Sequence, residues 1–180
     1  MDYIYNIDIG ILDWIQSTIK CSFLDFIMPI ITSLGNSGMI WIVICSILLI
    51  NKKQRKYGII LSLALILCFL VGNIFLKPLV GRIRPFDVNT TIELLIRKPL
   101  DFSFPSGHTM SSFAAATVLM YMNKRIGLIS LFLATMIAFS RLYLYVHYPS
   151  DVLVGGIIGI LLGILSIKIY LLLKKENNKE

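Results

Sequence analysis

The sequence predicts an all-α integral membrane protein, a bundle of about six helices, and three observations carry that prediction. Of 180 residues, 57% are hydrophobic and only 15% charged, and the mean hydropathy is +0.81, well above that of a soluble domain of this length. The apolar residues gather into runs of spanning or near-spanning length, and those over 58–76 and 152–173 hold almost no charge. A soluble domain needs a charged outer surface, so lipid is the solvent here. In hydrocarbon every backbone N–H and C=O must be paired within its own segment, which makes each run a helix.

In chain order, residues 1–20 come first. The start, Met1-Asp2-Tyr3, lacks the positive n-region of a cleavable signal peptide, so insertion is expected to depend on the spans themselves. Over 7–20, Ile7, Ile11, Ile15 and Ile19 recur near helical spacing with Asp8, Asp13, Gln16 and Lys20 between them, the pattern of an interfacial helix; a further full span is the alternative. Residues 39–50 are strongly apolar but too short to cross alone. Residues 23–34 either complete that crossing or form a separate broken helix, with Pro29, Gly35, Asn36 and Gly38 marking the break.

Spans are then predicted over 57–77, 108–122, 126–146 and 151–173, the second short enough that it should begin inside a site. Between the first two lies the long polar insertion, 78–107, where Pro78, Pro85, Pro99 and Pro105 discourage a continuous helix. It is too short for its own core and reads as an ordered cap on a single domain, 1–180, whose polar tail 174–180 should fray. Gly155, Gly156, Gly159 and Gly163 permit close packing of the last span on another helix, within the chain rather than in a dimer. Oligomeric state is otherwise open.

Charge and cysteine content narrow the function classes. The net charge of +7 falls in short clusters between apolar runs and not along one face, which argues against nucleic acid. Cys21, Cys45 and Cys68 are odd in number and widely spaced, so they suggest neither a metal site nor a disulfide framework and read as small buried hydrophobes. Lys52, Lys53, Arg55 and Lys56 form one basic loop, Lys124 and Arg125 another, and Lys174, Lys175 and Lys179 the tail. Alternating the four spans puts all three on one side, which the positive-inside rule makes cytoplasmic, and puts 78–107 outside. Lys77, Arg82, Arg84, Arg97 and Lys98 then lie on or near the outer side against the usual bias, where an anion is their natural partner.

Three segments concentrate the chemistry. Lys77 to Pro85 carries three cations at the end of one span; guanidinium forks match phosphate oxygens bidentately and lysine adds a point charge, although such a cluster alone also serves acidic head groups or snorkelling anchors. Phe104-Pro105-Ser106-Gly107-His108 opens the next span. Ser106 is a natural N-cap, Gly107 allows close backbone approach, the helix start favours an anion, and His108 can donate a proton near neutral pH. Ser140 to Asp151 carries Arg141, expensive near a membrane without a partner, then His147 and, four residues on, Asp151. That carboxylate can hold one imidazole nitrogen so that the other attacks phosphorus, the logic of a catalytic triad applied to a histidine nucleophile. Each segment ends at the outer side of a span, and both histidines of the chain fall among them.

In this order, K-x6-R-P, P-S-G-H and S-R-x5-H-x3-D resemble the three signature motifs of the type 2 phosphatidic acid phosphatase superfamily, with no departure at a signature position over 77–151. The resemblance implies a six-helix bundle with its active site at the extracytoplasmic end, no metal and no cofactor. It implies phosphate binding by Lys77, Arg84, Ser106, Gly107 and Arg141, leaving-group protonation by His108, and nucleophilic attack by His147 supported by Asp151. Arg82 is added to the phosphate-binding set on proximity alone. Soluble vanadium haloperoxidases share the constellation, but the spans argue against them. A transporter should show an inverted repeat or a series of charged midspan residues, and a lipid-binding protein leaves the paired histidines without a task. The expected partners are therefore the bilayer and a membrane lipid phosphate. The small size and outward-facing site resemble bacterial undecaprenyl diphosphate phosphatases, with phosphatidylglycerophosphate, phosphatidic acid and lipid A phosphates left open.

Overall fold

A computed structural model describes residues 2–177; Met1 and Lys179, used in the readings above, lie outside them. The chain folds as α1 (Asp2–Trp14), extended by a π-helical turn (Ile15–Ile19), then α2 (Ser22–Leu34) and α3 (Met39–Ile50). There follow α4 (Arg55–Cys68), continued by a π-helical stretch (Phe69–Leu76) into α5 (Lys77–Val80), the single turn α6 (Pro85–Val88), α7 (Gly107–Met122), α8 (Lys124–Tyr143) and α9 (Pro149–Asn177). The described residues hold no strand, and seven of the helices have 12 residues or more.

Arg55–Val88, Lys124–Tyr143 and Pro149–Glu176 are each long and apolar enough to cross a membrane, and Ser22–Leu34 with Asn36–Ile50 reach that length and hydropathy only together, as a pair bent by 46°. The break in that pair is narrower than the sequence suggested. Pro29 lies inside α2 without ending it, and the bend comes at Ser37 and Gly38, whose φ angles of 51° and 69° put two consecutive residues in the left-handed region.

At the centre stands α7, 16 residues long, packed against α4, α8 and α9. Its Ala114, Ala115, Val118 and Leu119 meet Ile60, Leu61, Ala64 and Ile137 in the main core. The glycines of α9 allow the closest approach: a Cβ at Gly159 would stand 2.3 Å from the carbonyl oxygen of Met110, and one at Gly155 2.9 Å from that of Ser106. Their partner is thus a helix of the same chain. Outward-facing Phe132, Ile129, Leu153 and Leu172 are exposed, as the lipid-facing side of a bundle requires.

Several expectations are revised. The span over 126–146 stops at Tyr143, because Tyr145 takes a left-handed backbone (φ 57°) and turns the chain. The tail is helical through Asn177, four residues into the stretch expected to fray. Cys45 and Cys68 are buried but Cys21 is exposed. The isoleucine stripe over 7–20 divides: Ile15 is buried, as are Asp8 and Leu12, while Ile7 and Ile11 are exposed. The helix turns a carboxylate inward and part of its apolar stripe outward, because Asp8 has partners in the bundle.

Candidate active site

Four element ends converge at the end of the bundle opposite the basic loops. The π-helical stretch widens the chain just before Lys77. Gly81, with φ 58°, stops α5, so that Arg84 enters from the following extended segment. The first turn of α7 brings Gly107 and His108 with their outward-pointing N–H groups, and the last turn of α8 brings Arg141. The turn after Tyr143 carries His147, and its neighbours Tyr143, Tyr145, Val146 and Tyr148 pack with Leu12, Ile15 and Met28 in a second core that fixes this turn.

Lys77, Arg84, His108, Arg141 and His147 line one cavity of about 470 Å³. Arg84 Nη1 lies 3.2 Å from His147 Nε2 and donates to the carbonyl of Val146 at 2.6 Å. Arg141 donates through Nη1 to Thr32 Oγ1 at 2.6 Å, while its buried Nε has no hydrogen-bond partner among the described residues. His108 Nε2 stands 3.0 Å from Asn36 Oδ1. A Cβ on Gly35 would come within 2.7 Å of the His108 ring, so the α2–α3 break also makes room for that imidazole. A second cavity of about 740 Å³ shares Lys77, Gly107 and His108 and continues between α3 and α4 along Ile42, Leu49, Leu65, Ile66 and Phe69.

His147 Nδ1 faces Asp151 Oδ2 at 3.5 Å. The same oxygen accepts from Ser103 Oγ at 2.5 Å and from the backbone N–H of Tyr148 at 3.0 Å. Asp151 therefore ties down the start of α9, and Ser103 Oγ, which it holds, stands 3.5 Å from His147 Nδ1. Burial pushes the His147 pKa well below its ordinary value, reinforced by Arg84, Arg141 and Lys77; the ring is neutral and keeps a lone pair. Two groups of this arrangement, Ser103 and Asp101, sit in the loop three to five residues ahead of Ser106, and the sequence reading passed over them. Asp101 ion-pairs with Lys77 and Arg84. Burial alone would raise its pKa, but those two cations outweigh it and hold the carboxyl well below the usual range.

Two expected phosphate ligands are placed elsewhere. Ser106 is fully buried; its N–H donates to the carbonyl of Asp151 at 3.2 Å, its hydroxyl accepts from Thr109 at 2.9 Å, and it makes no side-chain cap bond. Arg82 stands behind the His147–Asp151 pair. Its Nη1 reaches Asp151 Oδ1 at 2.5 Å and Ser150 Oγ at 2.7 Å, its Nη2 reaches Asp8 Oδ2 at 2.7 Å, and the guanidinium lies 3.9 Å over the Tyr148 ring. Two carboxylates already claim this cation, and it does not line the cavity. Asp8 in turn accepts from the N–H of Ser150 at 2.9 Å. Among the described residues, no group of three or more His, Cys, Asp or Glu side chains could hold a metal ion.

A model of the PAP2 superfamily matches residues 56–175. An undecaprenyl-diphosphatase of Sulfolobus acidocaldarius is 34% identical over 131 residues, covering 72% of this chain and 63% of that protein, so the chain spans less than two thirds of this relative. Undecaprenyl-diphosphatase BcrC of Bacillus subtilis is 32% identical over 148 residues, covering 80% of this chain and 74% of its own. A crystal structure of a transmembrane PAP2-type phosphatidylglycerolphosphate phosphatase from Bacillus subtilis superposes with a TM-score of 0.79 at 25% identity, covering 94% of this chain and 87% of that one.

Proposed function

We propose that this chain, which belongs to the PAP2 superfamily and is a multi-pass membrane lipid phosphatase, hydrolyses undecaprenyl diphosphate to undecaprenyl phosphate and inorganic phosphate through a phosphohistidine at His147. The observation that carries the reading is the meeting of a neutral histidine facing Asp151 with three buried cations and a second histidine around one cavity that continues into an apolar groove.

In the proposed reaction Lys77, Arg84 and Arg141 bind the phosphoryl oxygens, with the N-terminal end of α7 at Gly107 adding partial positive charge. The Nε2 lone pair of His147 attacks phosphorus as the bond to the lipid-side oxygen breaks, and His108 gives that oxygen its proton. Water, deprotonated by His108, then attacks the phosphohistidine; the P–N bond breaks, inorganic phosphate leaves, and His147 recovers its lone pair. Asp151 keeps the Nδ1 proton in place throughout. The groove between α3 and α4 takes the start of the lipid tail.

Undecaprenyl diphosphate is favoured by the names of the two relatives, and phosphatidylglycerophosphate is a second reading favoured by the likeness to the Bacillus subtilis structure. The whole chain acts as one catalytic domain. Its site faces outside the cytoplasm, since every site element lies at the helix end opposite Lys52, Lys53, Lys124 and Lys174. A cysteine placed in 88–93 should then be labelled by an impermeant thiol reagent on intact cells, and labelling only after lysis would invert the topology.

The central test is phosphate release by wild type and His147→Ala, purified in detergent, from undecaprenyl diphosphate, phosphatidylglycerophosphate and phosphatidic acid. Wild type should release phosphate, fastest from the first, and the variant should fall by about a thousandfold or more while remaining folded. Full activity in the variant would sink the nucleophile. A preference for phosphatidylglycerophosphate would select the second reading.

A further inference from the structure

Asp101 is the only acidic side chain among the described residues that line either cavity. One of its carboxylate oxygens meets Lys77 Nζ and the other accepts from Arg84 Nη2 at 2.8 Å. The cations are buried, at 8% and 3% side-chain exposure, whereas the Asp101 side chain is 53% exposed. The acid thus reaches them from the open side, the side from which a phosphoryl group must come. A carboxylate and a phosphoryl group offer a cationic pair the same kind of edge, two oxygens on one central atom. Arg141 differs: its bonded partner is the neutral Thr32, and its Nε is unpaired among the described residues.

The neighbouring backbone has ties that do not pass through the Asp101 carboxylate. Arg84 Nε holds the carbonyl of Asp101 at 2.8 Å, and the N–H of Ser103 donates to the carbonyl of Arg82 at 2.8 Å. Rotation of the Asp101 side chain therefore uncovers Lys77 Nζ and Arg84 Nη2 without dismantling the loop, and the adjacent Leu100, 92% exposed, offers nothing to trap it.

We infer that Asp101 is a built-in competitor for the phosphate seat. It covers Lys77 and Arg84 with its one negative charge, yields them to the substrate phosphoryl group, and reclaims them to displace inorganic phosphate after turnover. The inference rests on the phosphatase reading above. Competition of this kind lowers the apparent affinity for every phosphate species by the fraction of time the seat is occupied, and so limits product inhibition.

The test is the inhibition constant of inorganic phosphate, and of vanadate, against lipid phosphate hydrolysis by wild type and Asp101→Asn, with folding followed by size exclusion and melting in detergent. Removing a competitor should lower both constants by about tenfold, the scale of one charge-assisted contact no longer opposed. If Asp101 were only a strut that holds Lys77 and Arg84 in place, the same change would raise both constants, so the two roles predict opposite signs. Unchanged or raised constants overturn the inference while leaving the phosphatase reading intact. No turnover by wild type overturns that reading and this inference with it. Asp101→Ser repeats the comparison with a smaller neutral side chain. Failure of both neutral variants to fold would also overturn it, because a competitor is dispensable to folding and a strut is not.

Discussion

Arg82 and Arg84 stand two residues apart in one segment and serve opposite ends of the same pair. Arg84 lies at His147 Nε2 and lines the cavity; Arg82 grips Asp151 from behind and is itself gripped by Asp8. What separates them is access and acidic partners. Arg82 is held between two carboxylates, both buried, and so is committed to the scaffold. Arg84 shares one half-exposed carboxylate with Lys77, and Arg141 makes no ion pair among the described residues. A cation is available to an anionic ligand in proportion to what its own acids leave uncovered. In the proposed reaction the cavity side of the His147–Asp151 pair binds the phosphoryl group, and the rear side holds the pair in place.

The comparison breaks most directly through the arginines themselves. Arg84→Ala should lower kcat/KM by about a hundredfold or more and abolish vanadate inhibition, because it removes a buried donor that the phosphoryl oxygens are proposed to use. Arg82→Ala should lower kcat by about tenfold and leave the vanadate inhibition constant unchanged; weakened vanadate binding there would return Arg82 to the cavity side. Asp8→Ala should give a smaller version of the Arg82 effect. The double variant should be no worse than Arg82→Ala alone, since the two act through one contact with Asp151; additive losses would separate them.

A pH profile sharpens the same picture. The proposed attack requires a neutral His147, and burial with the neighbouring cations lowers its pKa. The acidic limb of kcat/KM should therefore fall below the ordinary histidine value of about 6.5, and a limb at or above that value would contradict a neutral buried nucleophile. The smallest expected effect is none: turnover should be the same in EDTA. Loss of activity restored by one specific divalent ion would require a different mechanism.

Much of this arrangement was readable from spacing. Lys77, Arg84, His108, Arg141, His147 and Asp151 sit at the ends of apolar runs, and helices in a bilayer bring their ends together at a common level, so residues far apart in sequence could be expected to share a site. Asp8, Asp101 and Ser103 were not readable in the same way. Asp8 meets Ser150 across 142 positions of sequence and Arg82 across 74, and nothing local to α1 says that its polar side turns inward. Ser106 shows the converse: its motif position suggested a ligand, but dense packing of α7 against α9 at Gly155 leaves it sealed behind the cavity wall.

By itself the sequence determined a helical bundle in lipid, because apolar runs of that length leave the backbone no other way to satisfy its hydrogen bonds. It also brought Lys77, Arg84, His108, Arg141, His147 and Asp151 to one end, because each stands at or beside the same-side terminus of an apolar run. Only the tertiary structure decided which of two neighbouring arginines faces the cavity, which face of α1 is buried and which carboxylate sits on the cations. Those directions depend on partners many residues away, and a side chain turns toward whichever opposite charge the packed bundle places within reach.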